Sequence, residues 1–515
     1  MSPTPPVRSR GMAANAAITA LSQVASMALG AVIALVILLR FGKDAGTDGL
    51  FAAYGVYGVL VVVAQSFRTT IVARLAEGPS PFAALDRYLG AVAVLFLAAA
   101  IPLLVLAEPL ARLLTADLGR DAVDAARTAL TILWFASGAQ LASALLAAAL
   151  AVRDDFALSG GAYVAGGIVS VVALLALAPL LEIQAVPLGL CVGGATTAAL
   201  MLVRLLRHGY RPEPGRMVPD RTAVGRAALL VWAAAGSLGT QVAFVVTLGF
   251  AARLGEGAPT LYTYATFLFG LFLASTAGAM TIVLAPRLAE TWDGRTDSLH
   301  APLLEVFRAG LTLIAPIVGV VAVAGPAIAS LALDSDDARV LTDTVLAMSG
   351  GLVAGVAMPV PLVALYTQGR YAAVAAVGLQ GVVLQFGLAA IAVGFDSLVA
   401  LALASLVTGL AGAAVVLALV FGRGTWHVLG LLGRELLAVA AVGALAFGPA
   451  LALGTIGGRA VAPVAALLGL GAFAALARWL LPRHWELVGR VMRPALAALR
   501  SAPPVPVPGA PHDRA

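Results

Sequence analysis

Charge is scarce in this 515-residue chain: Asp, Glu, Lys and Arg together make up 11% of it, against 61% hydrophobic residues. Soluble proteins carry roughly 25% charged residues, so a water-exposed globular surface is excluded over most of the length. Cysteine is nearly missing. The single Cys191 leaves neither an intrachain disulfide nor a cysteine metal site. The five histidines, His208, His300, His427, His484 and His512, lie in polar connections or the tail without ligand spacing. A Gly-rich Lys-Ser/Thr loop that would cradle phosphates is missing as well. Hence no metal, nucleotide or other cofactor is expected. Lysine occurs once, at Lys43, against 31 arginines, a matter of codon usage in a GC-rich genome.

Leu, Val, Ala and Gly fill the vacancy, in runs of about 20 residues, the length that crosses a hydrocarbon layer of about 30 Å. Helices satisfy their own backbones in lipid. The expected fold is therefore an all-α polytopic membrane protein with about 14 transmembrane helices. The spans fall near 12–39, 50–73, 88–107, 128–151, 157–180, 184–206, 225–252, 259–285, 306–332, 341–366, 371–394, 397–420, 435–455 and 460–481. Glu182 is the main divider between the fifth and sixth.

The positive charges test this division. With a cytoplasmic N-terminus, inward segments carry 23 of the 32 Lys and Arg, outward loops carry 8, and Arg68 falls inside a span. Acidic residues divide 13 to 13, as expected of a rule that counts Lys and Arg. Both termini are then cytoplasmic, and the helix count is even. The strongest anchors are Arg204 to Arg226 and Arg478 to Arg500. They account for the net charge of +6, so no nucleic-acid partner is expected. Arg8 and Arg10 imitate a signal peptide, but the apolar run after Met12 exceeds the length of a signal core. The first helix is expected to be retained.

The chain also resembles itself. At an offset of 213 residues, 40–77 aligns on 253–290 without gaps. The offset pairs Arg40-x-Gly42 with Arg253-x-Gly255, Thr47 with Thr260, and Arg74-Leu-Ala-Glu77 with Arg287-Leu-Ala-Glu290. At an offset of 217, Pro109, Leu114, Asp117, Gly138 and Arg153 meet Pro326, Leu331, Asp334, Gly355 and Arg370. Six helices per copy give two parallel repeats related by an axis near the membrane normal, an arrangement suited to alternating access. The expected organisation is an N-terminal six-helix lobe at 1–206 and a basic cytoplasmic linker at 207–224. A second six-helix lobe follows at 225–420, an extra helix pair at 421–481, and a tail at 482–515. Within the tail, 484–499 reads as a basic amphipathic helix on the inner leaflet, followed by a Pro-rich disordered segment.

Ionisable groups deep in a span are costly and usually functional. Arg68 is the one such group, with Gln65 nearby. It either snorkels to the inner headgroups or faces a cavity and holds an anionic headgroup in the planar fork of its guanidinium. Arg74 and Arg287 end equivalent helices on the inner side, and Arg40 and Arg253 form the matching outer pair. Each either complements a helix dipole or rings a cavity mouth. Gln23, Gln140, Gln241, Gln380 and Gln385 suit interhelical hydrogen bonds; Gln23 and Gln241 are also cavity candidates. No Asp or Glu falls deep in a span, since Glu182, Asp343, Asp396 and Glu435 sit at span ends, which weakens a proton or sodium antiport scheme. The short loops leave no room for a catalytic domain, so an enzyme is not expected.

Residues 29–54 carry Leu29-Gly30, then Phe41-Gly42, then Thr47-Asp48 followed by Phe51, Ala53 and Tyr54. This spacing resembles the opening of the lipid II flippase family (MurJ, also called MviN) of the MATE/polysaccharide-exporter (MOP) superfamily. Two six-helix lobes with an extra pair fit the same family. Ile33 and Ala34 stand where that family commonly has an Arg-Asp pair, and Val61 and Val62 lie near its helix-2 arginines. Either Arg68 takes over their task or the substrate differs from lipid II. The resemblance implies a flippase for a polyprenyl-pyrophosphate-linked saccharide in a bacterial plasma membrane, with the extra pair forming a groove for the lipid tail. Membrane lipids and cell-wall synthesis proteins are its implied partners. A drug or amphiphile exporter, a membrane enzyme and a degenerate scaffold of cell-wall synthesis are the alternatives.

Overall fold

A computed structural model describes residues 12–116, 118–218, 238–273 and 296–489, apart from 78–80 and 154, together with 225 and 276. The described chain is helical throughout, with no strand among the described residues. In the first half, α1 (Met12–Phe41), α2 (Ala45–Glu77), α3 (Pro81–Thr115), α4 (Arg120–Ala151), α5 (Phe156–Leu181) and α6 (Ala185–Arg207) run back and forth. The second half holds α7 (Leu238–Leu254) and α8 (Ala258–Leu273), then α9 (His300–Ala329), α10 (Ser335–Ser349), α11 (Gly351–Ala357), α12 (Pro359–Thr367), α13 (Tyr371–Val393) and α14 (Leu398–Phe421). Last comes α15 (Thr425–Leu480).

Eight stretches of described residues are long and apolar enough to cross a membrane. Two of them, Phe156–Arg207 and Leu398–Leu480, contain reversals, and the second turns first at Gly422 (φ +54°). Phe156–Arg207 turns at Glu182, whose φ is +47°, where the sequence places its divider. Thr425–Leu480 doubles back at Gly458 (φ +68°), and Phe447 therefore faces Phe473 at 6.2 Å between ring centroids. Helices overrun the expected spans at several ends: α2 covers 45–77 rather than 50–73, and α3 covers 81–115 rather than 88–107. Helical hydrogen bonding does not stop where the apolar run ends, because polar residues continue a helix as well. The span expected at 341–366 as one helix is interrupted, forming α10, α11 and α12.

One end of the bundle, the cap end, carries the α1–α2, α3–α4, α5–α6, α7–α8 and α9–α10 turns. The opposite, linker end carries the 208–217 connection. Three apolar cores fill the described bundle. At the cap end a single core joins both halves, with Phe51 and Leu133 beside Leu248, Tyr264, Val345 and Leu401. The other two belong to one half each. Ile71, Leu85, Leu145, Met201 and Tyr210 form a core from the first half alone. Phe307, Val356, Leu365, Phe447 and Phe473 form another from the second half and α15. Helix pairs approach closely through small residues, the usual device where lipid supplies no hydrophobic drive. On α6, Gly193 leaves room for Ser170 and Gly166 of α5, which any Cβ would displace.

The first stretch of the linker is docked. Tyr210 is buried and donates to Asp86 Oδ1 at 2.5 Å, with the Phe82 ring 5.2 Å away. Burial raises the Asp155 pKa, but Arg204 at 2.7 Å and His208 at 3.3 Å more than offset that and hold the carboxyl below its usual range. Of the tail helix expected at 484–499, only the start to residue 489 lies among the described residues. Its described part, 482–489, folds onto the bundle, with His484 and Leu487 buried and Trp485 packed beside them. Its apolar residues find protein rather than lipid. Glu435 accounts for the polar side of that contact, 3.0 Å from His484 and 2.5 Å from Arg308 of α9.

Candidate functional site between the two halves

The two Arg-x-Gly matches end their helices alike. Gly42 closes α1 at φ +72° and Gly255 closes the α7 end at φ +105°, left-handed conformations that glycine adopts without a Cβ penalty. Each turn then starts a new helix, and every helix start leaves N–H donors without intrahelical acceptors. At α2 the donor is met locally: Asp44 accepts from Thr47 N at 2.7 Å and from Thr47 Oγ1 at 2.8 Å, an ordinary N-cap.

The 213-residue offset places Gly257 opposite Asp44, so α8 lacks a cap of its own. Asp48, from the other half, supplies it. Its Oδ2 accepts from Gly257 N at 2.6 Å, and its Oδ1 accepts from Thr260 N at 3.0 Å and Thr260 Oγ1 at 2.5 Å. The exchange is reciprocal, since Glu256 Oε1 accepts from Ala45 N of α2 at 3.1 Å. Asp48 is fully buried, and its charge rests on three donors and the positive end of a helix dipole. The latch extends sideways through Lys43, which pairs with Asp337 of α10 and lies 3.9 Å from Asp334. Below it, Phe51 meets Tyr264 edge-on at 5.3 Å and Phe267 at 5.9 Å, and Tyr54 meets Phe267 at 5.4 Å. Polar bonds thus tie the cap end, and aromatic contacts seal it.

Asp48 lies in the first turn of α2, at the helix end and not deep in a span. Helix α2 begins five residues earlier than the apolar run suggests, which brings Asp48 into the helix. The sequence did hold a signal for the latch: the matched Thr47 and Thr260, with an Asp at 44 in one copy and a Gly at 257 in the other.

The other candidates scatter. Arg40 is exposed and lines a cavity of about 630 Å³ at the cap end with Asp44, Asp121, Glu182 and Glu256. Arg253 is exposed at the same end and stacks over Phe250, 5.1 Å from the ring centroid. Gln65 is exposed on α2. Gln241 faces α2 so closely that a methyl group at Gly58 would sit 3.1 Å from its Oε1. Arg68 and Arg74 lie on α2, but their side chains, that of Gln23, and Arg287 altogether fall outside the described residues. Gln385 behaves as an interhelical hydrogen bonder, reaching Thr247 Oγ1 at 2.8 Å and Ser405 Oγ at 3.1 Å. Ile33, Ala34 and Val61 belong to the shared cap-end core, so no cationic lining arises there.

An all-helical bundle whose halves share a core, with a helical hairpin at its end, narrows the fold, and the sequence decides the family. The family model described as lipid II flippase MurJ matches residues 80–496. This chain belongs to the MurJ family. Its fold is similar to that of lipid II flippase MurJ in an inward closed conformation, with a TM-score of 0.73 and 14% identity over 90% of this chain and 99% of that one. An inward-facing multidrug resistance MATE family transporter of the MOP superfamily aligns with a TM-score of 0.59 and 16% identity, covering 83% of this chain and 96% of that one. A MOP superfamily transporter from Pyrococcus furiosus gives 0.59 at 15% identity, covering 83% and 99%. No curated protein sequence matches this chain. MurJ-family membership makes the chain a multi-pass membrane protein of a transporter family.

Proposed function

We infer that this protein is a flippase that carries a lipid-linked, pyrophosphate-bearing saccharide such as a peptidoglycan precursor across the bacterial inner membrane by alternating access. The observation that carries this reading is the family match over 80–496, joined to a bundle whose halves share one core at the cap end while, among the described residues, two further cores belong to one half each. In this reading the halves are the two lobes of the sequence repeat, and α15 is the extra pair. With both termini cytoplasmic, the cap end is the outer gate and the Asp48–α8 latch is the bond that must break for release outside. Positioning and electrostatics suffice for such a step, so the protein acts as a transporter and not as an enzyme. Arg68, Gln65 and Arg74, along α2 below the sealed end, supply the path for the anionic headgroup. Cell-wall synthesis proteins are its partners in supplying and consuming the lipid.

A MATE-type drug exporter fits less well, because the MATE structures align more loosely than MurJ does. Depletion of the protein, followed by identification of the lipid-linked intermediate that accumulates, tests the reading. Accumulation of a pyrophosphate-linked precursor in the inner leaflet is the expected result. Unchanged precursor levels with impaired efflux of cationic drugs would overturn it in favour of the exporter.

A further inference from the structure

We propose that the face between the halves, just below the cap-end seal, recognises the neutral saccharide of the cargo through the side-chain amides of Gln241 and Gln65. This inference rests on the flippase reading above and assigns the part of the substrate that this level of the molecule selects.

The first observation is a stripe along α2. Phe51 meets the rings of Tyr264 and Phe267 of α8, and Tyr54 meets that of Phe267. Next, a methyl group at Gly55 would come 3.0 Å from Leu248 and 3.2 Å from Val245 of α7, and one at Gly58 would come 3.1 Å from Gln241 Oε1. Seven residues are almost two whole helical turns, so Gln65 lies on the same face of α2 as Gly58, about 10.5 Å farther from the seal. The stripe that faces the second half thus starts with packed rings and continues into amides.

The second observation is that these two amides are unanswered. Gln65 is exposed and Gln241 half-buried, and among the described residues neither makes a hydrogen bond. Other glutamines of the spans are bonded inside the bundle: Gln385 reaches Thr247 and Ser405, and Gln140 bonds Tyr57. A carboxamide within a spanning segment is costly to leave without a partner, and here one comes from each half.

The third observation is the lack of charge at this level. Between Asp48 and Arg68, α2 carries no Asp, Glu, Lys or Arg; α7 carries none from Leu238 to Ala252, and α8 none from Ala258 to Leu273. A pyrophosphate drawn in here would be desolvated without a cation, at a cost that nothing offsets. A saccharide hydroxyl both donates and accepts, as a carboxamide does, and aromatic walls with a few placed polar groups are the usual lining of a site for a neutral ligand. The saccharide therefore occupies the level of Gln241 and Gln65, and the pyrophosphate stays toward the linker end, where Arg68 follows on α2.

The test measures lipid binding to the full-length, detergent-solubilised protein by native mass spectrometry, which counts bound lipid directly. The probes are undecaprenyl pyrophosphate and the same lipid carrying a disaccharide. The parent is expected to bind the saccharide-bearing lipid at least tenfold more tightly than the bare one. Gln241→Leu and Gln65→Leu should each lower that affinity about tenfold, the order of one hydrogen bond, and leave binding of the bare lipid unchanged. Gln65 is exposed, so its variant reports even if Gln241→Leu disturbs the contact with α2. Equal affinity of the parent for the two lipids would overturn the inference and leave the flippase reading in place. So would variants that bind the saccharide-bearing lipid as the parent does, or that lose both lipids alike, as a packing role requires. If the parent binds neither lipid, the flippase reading fails, and the recognition of its saccharide fails with it.

Discussion

Replacing Asp48 by Ala removes the acceptor for three donors at the start of α8, at 2.5, 2.6 and 3.0 Å. Hydrogen bonds to charged groups contribute about 1.5–3 kcal/mol each, and a buried donor left unmade costs about 1–3 kcal/mol. The three share one carboxylate and do not add, and water replaces them once the cap end opens. A loss of about 3 kcal/mol from the closed state is a reasonable magnitude, roughly a 150-fold shift toward opening at 1.4 kcal/mol per tenfold. Asp48→Asn keeps an oxygen for Thr260 but turns an amide toward Gly257 N, so its cost should be intermediate. Asp44→Ala is the control, because that side chain caps its own helix. The assay is labelling of Ala53→Cys, a position buried in the shared core, by a membrane-impermeant maleimide in Cys191→Ser protein. Labelling should quicken about a hundredfold with Asp48→Ala, less with Asp48→Asn, and little with Asp44→Ala. Equal rates for Asp48→Ala and the parent at matched expression would refute the latch.

A reducible bis-methanethiosulfonate cross-link between Lys43→Cys and Asp337→Cys in Cys191→Ser protein, long enough to replace the lysine side chain, should lock the cap end, abolishing flipping until a reductant is added; flipping that persists in the cross-linked protein would contradict the gate assignment. Arg68→Ala should abolish transport at normal expression, and Arg68→Lys should rescue only in part for want of bidentate geometry; wild-type complementation by Arg68→Ala removes it from the path. Burial holds the His484 imidazole below its ordinary pKa of 6.5, against the pull of Glu435. The folded state therefore binds that proton more weakly than the unfolded one, and the stability concerned is complete above pH 6.5 and declines as the pH falls below it. Melting curves at pH 7.5 and 5 should show this decline, and His484→Gln should flatten it. Reporter fusions should place the 207–224 connection in the cytoplasm; an external location would reverse the assignment of the gate.

The sequence alone determined that this is a helical membrane protein, because a hydrocarbon layer admits few other backbones and the apolar runs match its thickness. It also determined the chain reversal at Glu182, the fold of α15 on itself and the Arg-x-Gly helix ends. These depend on local composition and spacing, which a sequence displays directly. The motif of Thr47 and Asp48 pointed to the family as well. What Asp48 does was decided by tertiary structure. Its donors lie about 210 residues away, and nothing local tells a carboxylate at the head of its own helix that it will cap another. The same holds for Lys43, which pairs with Asp337 of α10, and for His484, which is buried against Glu435 of α15. The spacing of Phe51, Tyr54 and Gly58 on one face of α2 is local as well. That this face meets α7 and α8 of the other half is a property of the packed bundle, since only there do helices remote in sequence share an interior.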